Sequence, residues 1–335
     1  MSFLSTPFFL PPTVQRILQP GEIEALDRVH FPRVRLPQPA TLYQERAARL
    51  RQLAPGHPIA DYLRFAARLV DAQQRLAAHA PPAPPLPDGV VQRANANGMP
   101  LLSTFEPLPA PWRDALRALV ADLRADADLP APMLPVLDRL AAADGEALDT
   151  LARATLAQRL DPEDLAAAPL VMAALQAVFA HRAAALNEKL VPYADPATLC
   201  PVCGSAPVAS VQRIGGEAGG HRYLHCGLCE TEWHMVRVKC SHCESTEAIV
   251  YQGIEDAAAD GGGAGPVSRQ AVLAETCGTC HTYRKLVNQE KDPYAEPLAD
   301  DLASVLLDLL MSDTPFARAS TNPLLPLSEP EGGTA

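Results

Sequence analysis

No run of the 335-residue chain stays apolar for the roughly 18 residues that a bilayer-spanning helix needs. The opening stretch, MSFLSTPFFLPPTVQ, lacks a basic region and is broken by Pro7, Pro11 and Pro12, so it does not read as a secretory signal peptide. A cytoplasmic protein is the expectation. Positive charge is scarce as well: 28 Lys and Arg stand against 39 Asp and Glu, a net charge of -11. Nucleic-acid binding rests on neutralising phosphate with Lys and Arg, so an acidic chain is poorly suited to it, local basic patches aside. Gly-x-Ser-x-Gly, a phosphate-cradling Gly-Lys-Ser/Thr loop and His-Glu-x-x-His are all missing, and no enzyme is expected. Residues 1–190, finally, contain no cysteine.

What that long first part does contain is Ala, Leu, Arg and many prolines. Between Pro58 and His79, Tyr62, Phe65, Ala66, Leu69 and Leu76 form a one-sided stripe with helical spacing. Asp161-Pro162-Glu163-Asp164 carries a helix-start signature and opens a predicted helix through Leu170, Val171, Ala174, Leu175, Val178 and Phe179 to about Leu186. Segments 41–53, 112–125 and 145–159 are further predicted helices. The proline-rich run Ala80–Gly89 supports neither a helix nor a central strand, because proline lacks the amide donor and clashes with a preceding turn. These stripes read as ordinary core.

After residue 191 the character changes. Val208–Val211, Arg222–Leu224, Trp233–Val238, Ala248–Tyr251 and the alternating Val267–Glu275 are strand-like, and Asp256–Pro266 with its three consecutive glycines reads as a flexible hairpin loop. A last amphipathic helix is predicted from Pro297 to about Met311, followed from Pro323 by an extended tail. All eight cysteines lie in this part, as four Cys-x-x-Cys pairs: Cys200/Cys203, Cys226/Cys229, Cys240/Cys243 and Cys277/Cys280. Two thiolates separated by two residues grip one metal ion from a tight turn, and two such turns complete a tetrahedral four-sulfur site. Redox dithiols of the thioredoxin type occur singly in a βαβ context, which is lacking here.

The intervals between pairs are 22, 10 and 33 residues. The long ones accommodate β-hairpins, favouring sequential pairing: Cys200/Cys203 with Cys226/Cys229, and Cys240/Cys243 with Cys277/Cys280. Interleaved pairing stays open. Four sulfurs suit Zn(II) and rubredoxin-type iron alike, with zinc the default from chemistry alone. His221, His225, His234, His242 and His281 lie in the same region, but the sulfur count is already complete. They are expected to be hydrogen-bond donors to thiolate or exposed polar residues, His242 inside its knuckle being the best candidate for the former. Arg222, Arg237 and Lys239 are read as a solvated face near the knuckles.

The expected architecture is α+β and multidomain. An all-α helical domain covers residues 1–190, two small rubredoxin- or zinc-ribbon-like four-cysteine modules cover 191–236 and 237–292, and a C-terminal helix and tail cover 293–335. The runs Cys200-Pro-Val-Cys-Gly-Ser, Arg222-Tyr-Leu-His-Cys226, Thr231-Glu-Trp-His234, Glu275-Thr-Cys277, Lys291-Asp-Pro293 and Ala299-Asp-Asp-Leu-Ala-Ser304 resemble the formate dehydrogenase accessory protein family, FdhE. This resemblance covers about 120 C-terminal residues closely, and the helical half agrees in size and character; the Asp256–Pro266 loop is longer than the family's pattern. It implies a cytoplasmic maturation factor that binds the catalytic subunit of formate dehydrogenase. It also implies two iron ions per chain on the eight cysteines, with zinc as runner-up. A rubredoxin-like electron carrier and a zinc-ribbon nucleic-acid-binding protein are the alternatives.

Overall fold

The computed structural model describes residues 31–104, 107–193, 196–254 and 271–325. The predicted Asp256–Pro266 loop, the signal-peptide reading and the end of the tail lie outside them. Seven α-helices among the described residues build the first half: α1 (Pro39–Leu53), α2 (Ala60–Ala78), α3 (Val90–Asn97), α4 (Pro111–Arg124), α5 (Leu134–Ala142), α6 (Gly145–Leu156) and α7 (Ala168–Ala184). Proline at the first turn, where its missing amide costs nothing, opens α1, α4 and α7. The Asp144 carboxylate caps α6 by accepting from the Glu146 and Ala147 amides at 3.0 and 2.9 Å.

Helix α7 is apolar nearly all round and buried nearly all round, the expected fate of such a sequence. Helices α2, α4 and α6 pack on it. The stripe predicted for Pro58–His79 faces the core in α2, with Phe65, Ala66 and Leu69 buried. The helix predicted to begin at Asp161 does not: residues 162–164 form a single 3-10 turn, and α7 starts at Ala168. Pro169 is the reason. Deep inside a helix its ring would clash with the preceding turn, so the helix begins again where proline is tolerated.

The second half is organised by one sheet. Its strands are β1 (Val34–Arg35), β2 (Pro207–Gln212), β3 (Arg222–Cys226), β4 (Glu232–His234), β5 (Ile249–Gln252), β6 (Val272–Cys277), β7 (Thr282–Asn288) and β8 (Ala317–Arg318). Along the sheet they run β1-β4-β3-β2-β7-β6-β5, with β8 beside β7. Antiparallel β2-β3-β4 forms one module and antiparallel β5-β6-β7 the other. A parallel β2·β7 pairing, with Ser210, Val211 and Gln212 opposite Leu286, Val287 and Asn288, fuses them into one continuous sheet. At the other edge β1 pairs with β4, so a segment ahead of the first helix completes the first module.

The strand predicted as Trp233–Val238 ends at His234. Beyond it the Arg222 guanidinium takes the Val236 and Lys239 carbonyls at 3.0 and 2.8 Å, turning the linker, and Val238 sits at φ 57°. The single C-terminal helix is likewise two, α8 (Pro297–Ala303) and α9 (Val305–Met311). At the break Lys285 Nζ donates to the Asp301 and Ser304 carbonyls at 2.8 and 3.1 Å, and the Ser304 hydroxyl donates to Asp300 O at 2.7 Å. Carbonyls drawn away from the helical ladder let it bend. Helix α8 lies between α1 and strands β2 and β7, joining the helical half to the sheet.

Candidate metal centres

Each module carries one four-cysteine cluster at its knuckles. Cys200, Cys203, Cys226 and Cys229 gather in the first, and Cys240, Cys243, Cys277 and Cys280 in the second; within each, all four sulfurs lie within 4.8 Å of one another. The structure thus groups the pairs sequentially, and the interleaved arrangement is absent. No disulfide joins any of them. A tetrahedral ion with metal–sulfur bonds of about 2.3 Å sets its ligands roughly 3.8 Å apart. The observed contacts are 3.5 Å for Cys200–Cys229, 3.4 Å for Cys203–Cys226, and 3.7 Å for both Cys240–Cys280 and Cys243–Cys277.

The four knuckles repeat one local design. In each, the residue after the second cysteine has a left-handed backbone: Gly204 at φ 79°, Glu230 at 62°, Glu244 at 63° and His281 at 54°. Ahead of that kink, the turn aims amides at the first cysteine's sulfur, as two of the knuckles show. Cys226 Sγ accepts from the Leu228 and Cys229 amides at 3.4 Å, and Cys240 Sγ from those of His242 and Cys243 at 3.4 and 3.5 Å. Cys229 Sγ and Cys280 Sγ lie 3.2 and 3.1 Å from the hydroxyls of Thr231 and Thr282. The sequence trace of this repetition is Cys-x-x-Cys-x-Ser/Thr in all four places, a signal the spacing argument passed over.

Thiols this close titrate against one another. In the first cluster burial pushes Cys200 and Cys229 well up, whereas Cys203, also raised by burial, is drawn well down by hydrogen bonds from the other three. In the second, burial pushes Cys240 up to about 12; Cys277, against its burial, falls to about 7 under the Cys280 and Thr279 amides and the neighbouring thiols. One thiolate per cluster is favoured at the expense of its neighbours. A cation at the centre is what allows all four to ionise, so the donor set fits a thiophilic M(II) or M(III) ion.

The first cluster is locked to the helical half. The Leu102 amide donates to Val202 O at 2.7 Å, and Gln176 of α7 donates to Gly227 O at 2.7 Å while accepting from Gln73 of α2 at 3.0 Å. A chain of buried charge continues behind the knuckle. Arg46 of α1 holds both Glu230 oxygens at 2.9 and 2.6 Å and Glu296 at 3.0 Å, and His225 stands between Glu230 and Glu232 at 2.8 and 3.1 Å. Burial works against Glu230, but Arg46 and His225 hold its carboxyl at about 2. Burial also disfavours charged His225, yet its two carboxylate partners raise it.

Several sequence expectations about polar residues need revising. Arg222 is no solvated arginine: it is buried, pairs with Glu275 at 2.6 Å and so bolts the first module to the second. Arg237 and Lys239 are nearer to expectation, with Arg237 exposed and donating to Gly220 O, and Lys239 3.3 Å from Glu244. His242 is exposed and reaches its cluster through its backbone amide. His221 and His234 meet edge to face at 5.7 Å, and His281 lies 6.2 Å from the Phe316 ring. Sequence reasoning missed Arg46, Glu230 and Glu296 altogether, for they meet across separations of 184 and 250 residues.

Two of the cavities lie in the helical half and behind the first knuckles. One of about 820 Å³, between α2, α4, α7 and the Pro81–Pro84 segment, is walled mostly by alanine and proline. Another of about 530 Å³ touches Gly204, Ser205, Gly227 and Leu228 behind the first knuckles and offers hydroxyls, Arg153 and Asn322 but no histidine or carboxylate. Neither has a cysteine in its lining.

A helical half feeding a fused pair of four-cysteine modules defines the class: a two-cluster cysteine protein whose sulfurs are grouped closely enough to hold a metal ion. Family models describe it more closely. The FdhE N-terminal model matches residues 31–195, the FdhE central domain 199–237 and the FdhE C-terminal domain 238–325. An FdhE homolog from Cronobacter sakazakii is 39% identical over 314 residues, covering 92% of this chain and 97% of its own. Another from Edwardsiella ictaluri is 44% identical, covering 87% and 90%. The crystal structure of the FdhE protein from Pseudomonas aeruginosa superposes with a TM-score of 0.75 at 36% identity, over 88% of this chain and 99% of that one. The chain belongs to the FdhE family.

Proposed function

We propose that the chain is a non-enzymatic accessory protein for making active formate dehydrogenase. It acts in the cytoplasm by binding that enzyme's catalytic subunit, and its eight cysteines hold two iron ions. The observation that carries this reading is FdhE family membership along nearly the whole described length. The sulfur-only clusters agree with it. With four cysteines at each cluster, no ligand position is left open for activating water, so the ions would fold the C-terminal half or respond to redox state rather than catalyse. Among the described residues no helix is long and apolar enough to cross a membrane.

Deletion of the gene should abolish formate dehydrogenase activity while leaving the enzyme polypeptide in place, and tagged full-length protein should retain the catalytic subunit on purification. Unchanged activity in the deletion strain would overturn the proposal. Iron should give anaerobically purified protein a red absorption that reductant bleaches; a colourless protein with full zinc occupancy selects the alternative metal. Exposure of Cys243 favours a second reading, a rubredoxin-like electron carrier, which requires that bleaching to be reversible.

A further inference from the structure

The two clusters repeat one ligand pattern in opposite settings. All four sulfur residues of the first are buried, Cys203, Cys226 and Cys229 completely. In the second, Cys240 and Cys277 are buried, Cys280 is half-buried and Cys243 is exposed. The residues between ligands repeat the contrast. Val202 and Leu228 of the first cluster's knuckles lie in the apolar core, whereas His242, Gly278 and Thr279 of the second's face solvent. The Leu102 amide and the Gln176 side chain of α7 hold the Val202 and Gly227 carbonyls of the first cluster's knuckles. The second cluster's knuckle contacts stay mostly within its own module, such as Gly278 N to Ala248 O at 3.0 Å and Ser245 Oγ to Thr279 Oγ1 at 3.0 Å. Val236, Val238 and Val250 beside it are each more than half exposed.

We propose that the second cluster is the metal-exchange site of the protein, entered through Cys243 and Cys280, while the first is a closed joint that does not exchange without partial unfolding. The competing ligand is a low-molecular-weight thiol or a nitrogen–carboxylate chelator that takes the ion from the thiolates. Cys243 and Cys280 are the sulfurs displaced first; each leaves as a thiolate and takes a proton from water, and no electron moves. Cys240 and Cys277 release last. The inference rests on the reading that both clusters hold an ion, and it adds that they do so with different lability.

Full-length protein carrying Zn²⁺ in both clusters, a probe ion that leaves thiol oxidation state untouched, tests this when challenged with EDTA in the presence of iodoacetamide. Each freed thiolate displaces iodide and is marked by a carbon–sulfur bond, which peptide mass spectrometry locates. One ion per chain should leave at least about tenfold faster than the other, because reaching a buried cluster requires sub-global opening. Carbamidomethyl groups should appear on Cys243 and Cys280, then on Cys240 and Cys277, before any of the other four. Cys243→Ser should remove the fast phase and leave one slowly released ion. Equal rates, or first labelling at Cys200, Cys203, Cys226 or Cys229, would overturn the inference. A chain that takes up no zinc would instead defeat the metal reading beneath it.

Discussion

The two cysteine clusters are built from the same knuckle, yet one is part of the protein's core and the other part of its surface. The difference lies less in the ligands than in the two residues each knuckle encloses. Pro201-Val202 and Gly227-Leu228 offer apolar side chains that the helical half can bury, whereas Ser241-His242 and Gly278-Thr279 offer none. In this chain the depth of each Cys-x-x-Cys turn follows what it places between its cysteines. On the proposed metal reading, losing the ion should collapse a joint in the first case and loosen only the local surface in the second.

Substitutions that separate the clusters should break the comparison most visibly. Cys203→Ser should cost the first ion and, with it, stabilisation on the order of 10 kcal/mol. Thermal unfolding by circular dichroism should fall drastically or the protein should fail to accumulate. Cys243→Ser should also lose one ion, but keep the main helical transition within a few degrees of the parent. Equal damage from both would show that the second cluster is as integral as the first. Next comes the charged wall behind the first cluster. Arg46→Met leaves Glu230 buried without its guanidinium, and breaking such a pair costs about 3–5 kcal/mol, readable in urea denaturation; a loss below 1 kcal/mol would mean water reaches this site.

The ionic joint at α8 should respond to acid. Burial raises the Asp301 carboxyl, but Arg318 and Lys285 outweigh it and hold it below its ordinary value. Its folded value lies below the unfolded one of about 3.9, so its contribution is complete above that pH and is lost as pH falls through the folded value. Asp301→Asn should lower stability by about 2–3 kcal/mol at pH 7, as expected for losing charged hydrogen bonds, and the gap to the parent should narrow below pH 4. A constant gap would contradict the assignment. The smallest effect is expected at Gln176→Leu, about 1–2 kcal/mol for an unmet carbonyl at Gly227. That variant should also quicken zinc release from the first cluster and leave the second cluster's rate unchanged, measured by the same alkylation.

Much of this was legible in the sequence because it is local. Cys-x-x-Cys spacing names candidate ligands, and hairpin-sized intervals favour the sequential grouping the structure adopts. The Phe65, Ala66 and Leu69 stripe names the buried face of α2. What escaped is non-local or a contest between local signals. Pro169 defeated the start signal at Asp161, and Lys285 of strand β7, nineteen residues away, helped to break the last helix at Ser304. Strand β7 carries no such local signal, since Tyr283-Arg-Lys-Leu-Val287 holds two cations whose burial is made tolerable by distant partners: Ser241, Ser320 and the Pro207 carbonyl for Arg284, and Asp301, Asp308 and the Ser304 carbonyl for Lys285. Adjacent acids Asp300 and Asp301 in an otherwise apolar helix were the available hint: buried, they require cations, here Arg49 and Arg318.

The central claim is that eight cysteines form two separate four-sulfur metal centres. X-ray absorption at the metal edge, combined with elemental analysis of anaerobically purified full-length protein, tests it most directly. The account predicts two ions per chain, each with four sulfur neighbours at about 2.3 Å and no nitrogen or oxygen in the same shell. Fewer than two ions, or a histidine nitrogen among the ligands, would contradict it.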